Sequence, residues 1–240
     1  MIRWQGLSAL VLLLLVSPFV QASDFSFTGT FAYDTDLQFF TFTLANPTAG
    51  VALRTVSYGG GTNSAGETIP SGGFEPYLNL YMFDGTQMNP GQSGGCAGGL
   101  ALDPITKVCG DVYYPTTLSF PGGVWDAGTY TVVLSTFANP GVGNLSDGFF
   151  APAVLGLNGP SNFTCQVGSP GYQGNPPTIG VDQPFCDEFL PGTERTGNWA
   201  LDILNVDSAT EAPEPGSAGL GVLGGALLLA AGYRRRQHQH

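Results

Sequence analysis

The chain has 240 residues, with 7 Lys and Arg against 18 Asp and Glu and a formal net charge of −11. Within residues 23–211 the imbalance sharpens, because Arg54, Lys107 and Arg195 face seventeen acids, a formal charge of −14. Such a surface repels phosphate, which argues against a nucleic-acid partner and against basic docking onto an anionic membrane; it suits an extracellular protein kept soluble by self-repulsion, or one that collects divalent cations.

Residues 1–22 read as a secretory signal peptide. Arg3 supplies the positive start, residues 7–16 the apolar centre, and Val20-Gln21-Ala22 a small-residue cleavage site. An uncleaved anchor is the competing reading, disfavoured by the short apolar core and by Pro18. Residues 23–207 follow as one domain, long enough to bury about 70% of its unfolded surface.

Strand periodicity runs through most of that domain. Phe25, Phe27 and Phe31 precede a turn at Asp34-Thr35-Asp36, after which Phe40, Phe42 and Leu44 alternate with threonine. Residues 51–58 continue the pattern and stop at Gly59-Gly60-Gly61, which reads as a turn because no Gly-Lys-Ser/Thr follows to make a phosphate loop. Residues 77–83 set Leu78, Leu80 and Met82 against Tyr77, Asn79 and Tyr81 and end at Asp84-Gly85, a strong turn signal. Residues 112–118 make a weaker strand, residues 129–137 place Tyr130, Val132 and Leu134 on one face, and residues 199–206 turn Trp199, Leu201 and Ile203 inward. No segment before Pro213 shows a capped helical stripe. Short, turn-bounded strands in a chain with 36 glycines and 18 prolines predict an all-β sandwich, with barrel closure left open.

In an exported chain Cys96, Cys109, Cys165 and Cys186 make two disulfides. Of the three connectivities, spacing favours the local pairs Cys96 with Cys109 and Cys165 with Cys186. Each pair lies in a Gly/Pro-rich stretch, where closing a loop of about fifteen residues contributes about 3 kcal/mol. Zinc is a poor alternative, since no CxxC occurs and the exported region has no histidine.

Residues 208–215 read as a linker carrying Pro213-Glu214-Pro215, and residues 216–233 as an apolar transmembrane helix. At about 1.5 Å per residue that helix reaches roughly 27 Å, close to the hydrocarbon thickness of a bilayer. Arg234, Arg235 and Arg236 resist translocation and hold the basic tail, residues 234–240, in the cytoplasm. Proline-acid-proline, apolar helix and basic stop together resemble the PEP-CTERM sorting signal of Gram-negative bacteria. The resemblance implies an inner-membrane intermediate, an exosortase partner that cuts near Pro-Glu-Pro, and delivery to the cell surface or an exopolysaccharide matrix.

Three further segments occur in order: Tyr33-Asp34-Thr35-Asp36 leading to Phe40-Thr41-Phe42; Gly72-Gly73-Phe74-Glu75-Pro76-Tyr77-Leu78-Asn79-Leu80 with Asp84-Gly85; and Ala127-Gly128-Thr129-Tyr130-Thr131-Val132. Across most of residues 24–206 they resemble the bacterial pre-peptidase C-terminal domain, which implies a jelly-roll-like β-sandwich. The chain departs from that pattern by insertions at about 86–111 and 138–198. Each insertion holds one expected disulfide, and no ligand binding carries over to these loops from the family.

His238 and His240 lie beyond the arginine stop, so serine or cysteine catalysis with a histidine base is excluded from the exported region. A glycosidase needs two carboxylates, for which Glu75, Asp187 and Glu188 are the candidates; Glu75, however, belongs to the Gly-Phe-Glu-Pro turn, and no catalytic residue is assigned. Calcium is the one cofactor the pattern offers. Asp34 and Asp36 flank a tight turn and serve one ion if Asp84 or Asp126 comes near, as the resemblance implies for some related secreted domains. Ordinary Asp turn chemistry competes with that reading and outweighs it. Tyr113, Tyr114, Trp125, Phe149, Phe150 and Tyr172 lie in or near loops, where flat rings either stack on sugar C–H faces or, as favoured here, pack the insertions. The expected function is a non-enzymatic structural or adhesive protein of the envelope or matrix, the alternative being a carbohydrate-binding module for extracellular polysaccharide.

Overall fold

The computed structural model describes residues 23–93, 111–115, 123–156, 159, 163–164, 185–186 and 194–213. The expected signal peptide, Cys96, Cys109, Cys165, Tyr172, Asp187, Glu188, Glu214, Pro215, the apolar run 216–233 and Arg234 to Arg236 lie outside the described residues. No helix among the described residues is long and apolar enough to cross a membrane.

The described framework is all-β. One sheet runs in the order β1 (Ser23–Thr30), β14 (Asn198–Val206), β4 (Ala52–Val56), β9 (Tyr113–Pro115). The other runs β15 (Ser208–Ala212), β2 (Gln38–Leu44), β11 (Gly128–Thr136), β7 (Pro76–Met82), β8 (Gln87–Ser93). Three short pairs accompany them: β3 (Thr48–Ala49) with β10 (Val124–Trp125), β5 (Gly61–Thr62) with β6 (Thr68–Ile69), and β12 (Phe185–Cys186) with β13 (Glu194–Arg195). Neighbouring strands in both larger sheets pair antiparallel.

Alternation with a period of two turns one face of each larger sheet inward. Phe25, Phe27, Leu53, Trp199, Leu201 and Ile203 from the first meet Phe40, Phe42, Leu78, Leu80, Val132 and Leu134 from the second in one core cluster. The result is a two-sheet, sandwich-like packing with the inward residues that the alternation predicts. Phe27 and Phe40 bring their ring centroids to 4.9 Å across the gap. Trp199 contacts Phe31 at 5.8 Å and Phe40 at 5.9 Å, so its indole touches both sheets. Each such ring contributes about 1.5–3 kcal/mol through burial alone. Gly29 lies directly opposite Trp199 in the β1–β14 register, and a Cβ there would stand 2.4 Å from Trp199 Cζ2. Glycine is needed at position 29 because the indole occupies the space of a side chain.

The five-stranded sheet is buried on its outer face as well. Phe39, Tyr81 and Val133 point away from the main core and form a second cluster with Phe149, whose ring meets Phe39 edge-on at 6.3 Å. Residues 138–156 therefore act as a lid over this face. They include a 3-10 turn, Leu145–Asp147, and a short helix α1 (Phe150–Leu155) that ends at Gly156 with φ 72. The sequence predicts no helix; six residues are too few to display an amphipathic stripe. Met82, predicted to face inward, is 42% exposed at the end of β7, where the alternation no longer has a partner sheet.

The domain boundary differs from the expected one at residue 207. Immediately after β14 the chain turns a corner and enters the opposite sheet as β15, pairing Ala209 with Phe42 and Glu211 with Phe40. Asn205 makes the corner with φ 59, donating its N–H to Asp24 Oδ1 at 3.1 Å and its Nδ2 to Gly50 O at 2.8 Å. Asp207 N donates to Thr43 O at 3.0 Å. Ser208–Ala212 resembles a linker in sequence because, of these residues, Ala209 is the buried one. Its order comes from the backbone ladder to β2.

Two stability predictions follow from these contacts. A chain ending at Asp207 should melt several degrees below one ending at Ala212, since an edge strand contributing ~1–3 kcal/mol shifts Tm by ~2–4 °C per kcal/mol at this size; equal thermal melts would show that β15 contributes nothing. Gly29→Ala should cost ~1–3 kcal/mol by overpacking against Trp199, measured by urea denaturation.

Candidate functional site

Asp34, Glu75, Asp111 and Asp202 are the buried carboxylates among the described residues, and three of them fasten segments of the fold. Asp202 accepts from Arg54 Nε at 2.9 Å and from Arg54 Nη2, from Ser64 N and Ser64 Oγ at 3.1 Å, and from Ser26 Oγ. It joins β14 to β4, to β1 and to the loop before β6, and removing either partner of such a pair leaves a buried charge uncompensated. Asp111 accepts from the successive backbone N–H groups of Ser57, Tyr58 and Gly59 at 2.6, 3.1 and 2.8 Å. Successive N–H groups of this kind form an anion-binding nest. Here the protein's own carboxylate fills it, so the glycine triplet is a closed turn.

Asp34 is the third. It is fully buried, and its Oδ2 accepts from Thr164 N at 2.7 Å and Thr164 Oγ1 at 2.8 Å. Among the described residues its Oδ1 has no hydrogen-bond partner. Burial pushes its pKa up from 3.8 to about 7, against the lowering effect of the Thr164 and Phe163 contacts. Thr164 Oγ1 also accepts from Cys186 N at 3.1 Å, so Asp34 ties the long insertion to the sandwich. Asp36 Oδ2 accepts from Ala32 N at 2.7 Å and Tyr33 N at 2.9 Å, closing its own turn.

The calcium donors expected from sequence do not converge. Asp34 faces the insertion, Asp36 its own backbone, Asp84 the N–H of Thr86 at 2.9 Å, and the Asp126 carbonyl accepts from Tyr130 OH at 2.8 Å. No group of three or more His, Cys, Asp or Glu that could hold a metal ion occurs among the described residues. Among the described residues, then, no calcium cage forms around Asp34 and Asp36.

The loop aromatics divide in the same way. Trp125 is fully buried, with its ring 5.6 Å from Phe42 and 5.1 Å from Tyr130, and Phe149 is buried under the outer face. Neither is available to a sugar. Tyr113 and Phe150 are half-buried, and the side chain of Tyr114 lies outside the description. Glu75 is buried. Cys186 is disulfide-bonded, with its partner outside the described residues.

The exposed aromatic that sequence reasoning missed is Phe83. It is 80% exposed, at the tip of the β7–β8 hairpin, and borders a surface cleft of about 390 Å³ lined by Asp84, Thr86, Asn144, Leu145 and Ser146. Two turns build the cleft and are bolted together: Leu145 N donates to Gly85 O at 2.9 Å and Gln87 N to Asn144 Oδ1 at 3.1 Å. Gly85, at φ 83, allows the tight turn. The N–H and hydroxyl of Thr86 hold the Asp84 carboxyl below the usual carboxylate range. A fully polar tip is ordinary for a hairpin, so Phe83 directly before Asp84-Gly85 was the available signal. The cleft can stack an apolar ring face and offer an anionic and several hydrogen-bonding groups beside it. No family model, curated protein or solved structure matches the chain.

The pKa of Asp34 carries a pH prediction. A carboxyl whose folded pKa exceeds its unfolded value favours folding most below the unfolded pKa of 3.8, and that contribution is lost as pH rises through about 7. Stability, read as Tm, should therefore fall between about pH 4 and pH 7, by on the order of a few kcal/mol, and level off above that. Asp34→Asn keeps an acceptor for Thr164 and should flatten this slope. An unchanged slope in the variant would assign the pH dependence to other groups.

Proposed function

We propose that this is a secreted, non-enzymatic β-sandwich protein, sorted to the surface or exopolysaccharide matrix of a Gram-negative bacterium, where it acts as a structural or adhesive component. The observation that carries the proposal is the junction at residue 212. The last strand of the folded domain ends at Ala212, and Pro213-Glu214-Pro215, the apolar run 216–233 and Arg234-Arg235-Arg236 follow without an intervening segment. A domain ending flush against a sorting signal leaves the motif as a short tether between fold and membrane. An exosortase acting there releases or reattaches the intact domain, which adopts the jelly-roll-like arrangement of the pre-peptidase C-terminal family. The contact between Thr164 and Cys186 supports Cys165, one residue along, as the disulfide partner of Cys186. Cys96 pairs with Cys109 in the same proposal. The acidic exported surface suits the same compartment.

Mass spectrometry of the protein recovered from matrix and membrane fractions of the native host tests sorting. The expected mature C-terminus in the matrix lies near residues 213–216. An intact tail ending at His240, found in the membrane fraction and absent from the matrix, would make the protein an anchored envelope component.

A second reading, a carbohydrate-binding module for extracellular polysaccharide, is favoured by one observation. Phe83 stands 80% exposed beside a polar cleft in an otherwise well-packed sandwich. A single exposed ring is ordinary on a surface; what favours a ligand here is its place on the rim of a cleft with several hydrogen-bonding groups.

A further inference from the structure

The cleft beside Phe83 constrains which sugar it accepts, an inference that rests on the carbohydrate-binding reading above. Its volume of about 390 Å³ sits at the low end of small-ligand sites, ~300–1,000 Å³, and suits one pyranose ring rather than a buried chain. The flat ring of Phe83 forms one side and matches the C–H face of a pyranose. The same cleft is lined by groups that accept or donate hydrogen bonds: Asp84, Thr86, Asn144 and Ser146.

Charge decides between sugar classes. Asp84 is fully exposed and ionised, its carboxyl lowered by the Thr86 N–H and hydroxyl. Asp147, next to the lining residue Ser146, adds a second carboxylate, with its Oδ2 accepting from Asn144 N at 2.8 Å. The two described arginines are engaged elsewhere: Arg54 with Asp202, and Arg195 stacked 3.7 Å from the centroid of the Tyr58 ring. A uronic acid or sulfated sugar brought to this cleft meets carboxylates and no described cation. A sugar bearing an ammonium meets a charge-assisted acceptor. We propose that the cleft binds a single terminal or side-chain sugar carrying a free amino group, stacked on Phe83 with its ammonium toward Asp84. Partially deacetylated amino-sugar polysaccharides are the chemical class that presents such a group.

The experiment is titration calorimetry of the full chain, purified in detergent, at about pH 6, where the amine is protonated. The probes are a β-1,4-glucosamine tetramer, its fully N-acetylated counterpart and a galacturonate tetramer. The expected result is that the free amino sugar binds about two- to fivefold tighter than the acetylated one, the size of one solvent-exposed charge pair, and that the galacturonate does not bind. Asp84→Asn, which keeps an acceptor for Thr86 N, should abolish that preference while weak binding persists. Phe83→Ala should lose binding to both hexosamine probes without lowering Tm, because the ring is exposed. Amino-sugar preference that survives Asp84→Asn, or binding unaffected by Phe83→Ala, overturns the proposal. Tighter binding of the galacturonate overturns it while leaving the carbohydrate-binding reading standing, and absence of binding to all three probes overturns both.

Discussion

Trp199 stands where the two sheets meet, and its indole lies there because the opposite position on β1 is a glycine. Contact with Phe31 on one side and Phe40 on the other sets the distance between the layers. The same pairing sets the register of β1 against β14, which puts Ser26 opposite Asp202. A slip of one residue would send Asp202 into the apolar core and Leu201 to the polar face beside Arg54 and Ser64, because side chains alternate along a strand. The apolar and ionic halves of β14 thus enforce one register together.

Acid chemistry in this chain serves architecture before it serves ligands. Asp202 gathers Arg54 and two serines, Asp111 fills a nest of backbone N–H groups, and Asp34 holds Thr164. Each carboxylate fastens a segment that buries little apolar surface: the loop before β6, the glycine turn, and the long insertion. With few basic residues available, backbone N–H groups and hydroxyls supply most of the donors. Asp34 is the least compensated of the three, with one buried oxygen lacking a partner among the described residues, and it is accordingly the one whose proton affinity rises.

Much of the framework was legible in the sequence. The alternation of Phe40, Phe42 and Leu44, of Tyr130, Val132 and Leu134, and of Trp199, Leu201 and Ile203 predicts the inward faces that meet in the core. Asp84-Gly85 predicts the hairpin that carries the cleft. What escaped were features without a local apolar pattern. β15 is polar and ordered by its ladder to β2, and the α1 helix buries only Ala151, against Ala138 and Phe163, rather than a stripe of its own. The sites were less legible than the strands. Asp34 and Asp36 sit two residues apart and still face different partners, and Trp125, which reads as a loop aromatic, closes the core against Phe42.

Strand periodicity, turn residues, charge balance and the order of the tail are local or additive properties, so reading along the chain was enough for an all-β fold and an acidic surface, and for the expectation of export and a sorted tail. Which carboxylates are buried, which aromatic remains outside, and where the domain ends depend on contacts between segments far apart in sequence. Phe83 and Asn144 belong to one cleft because Leu145 N finds Gly85 O and Gln87 N finds Asn144 Oδ1. Chain closure of that kind has no signature in either segment alone.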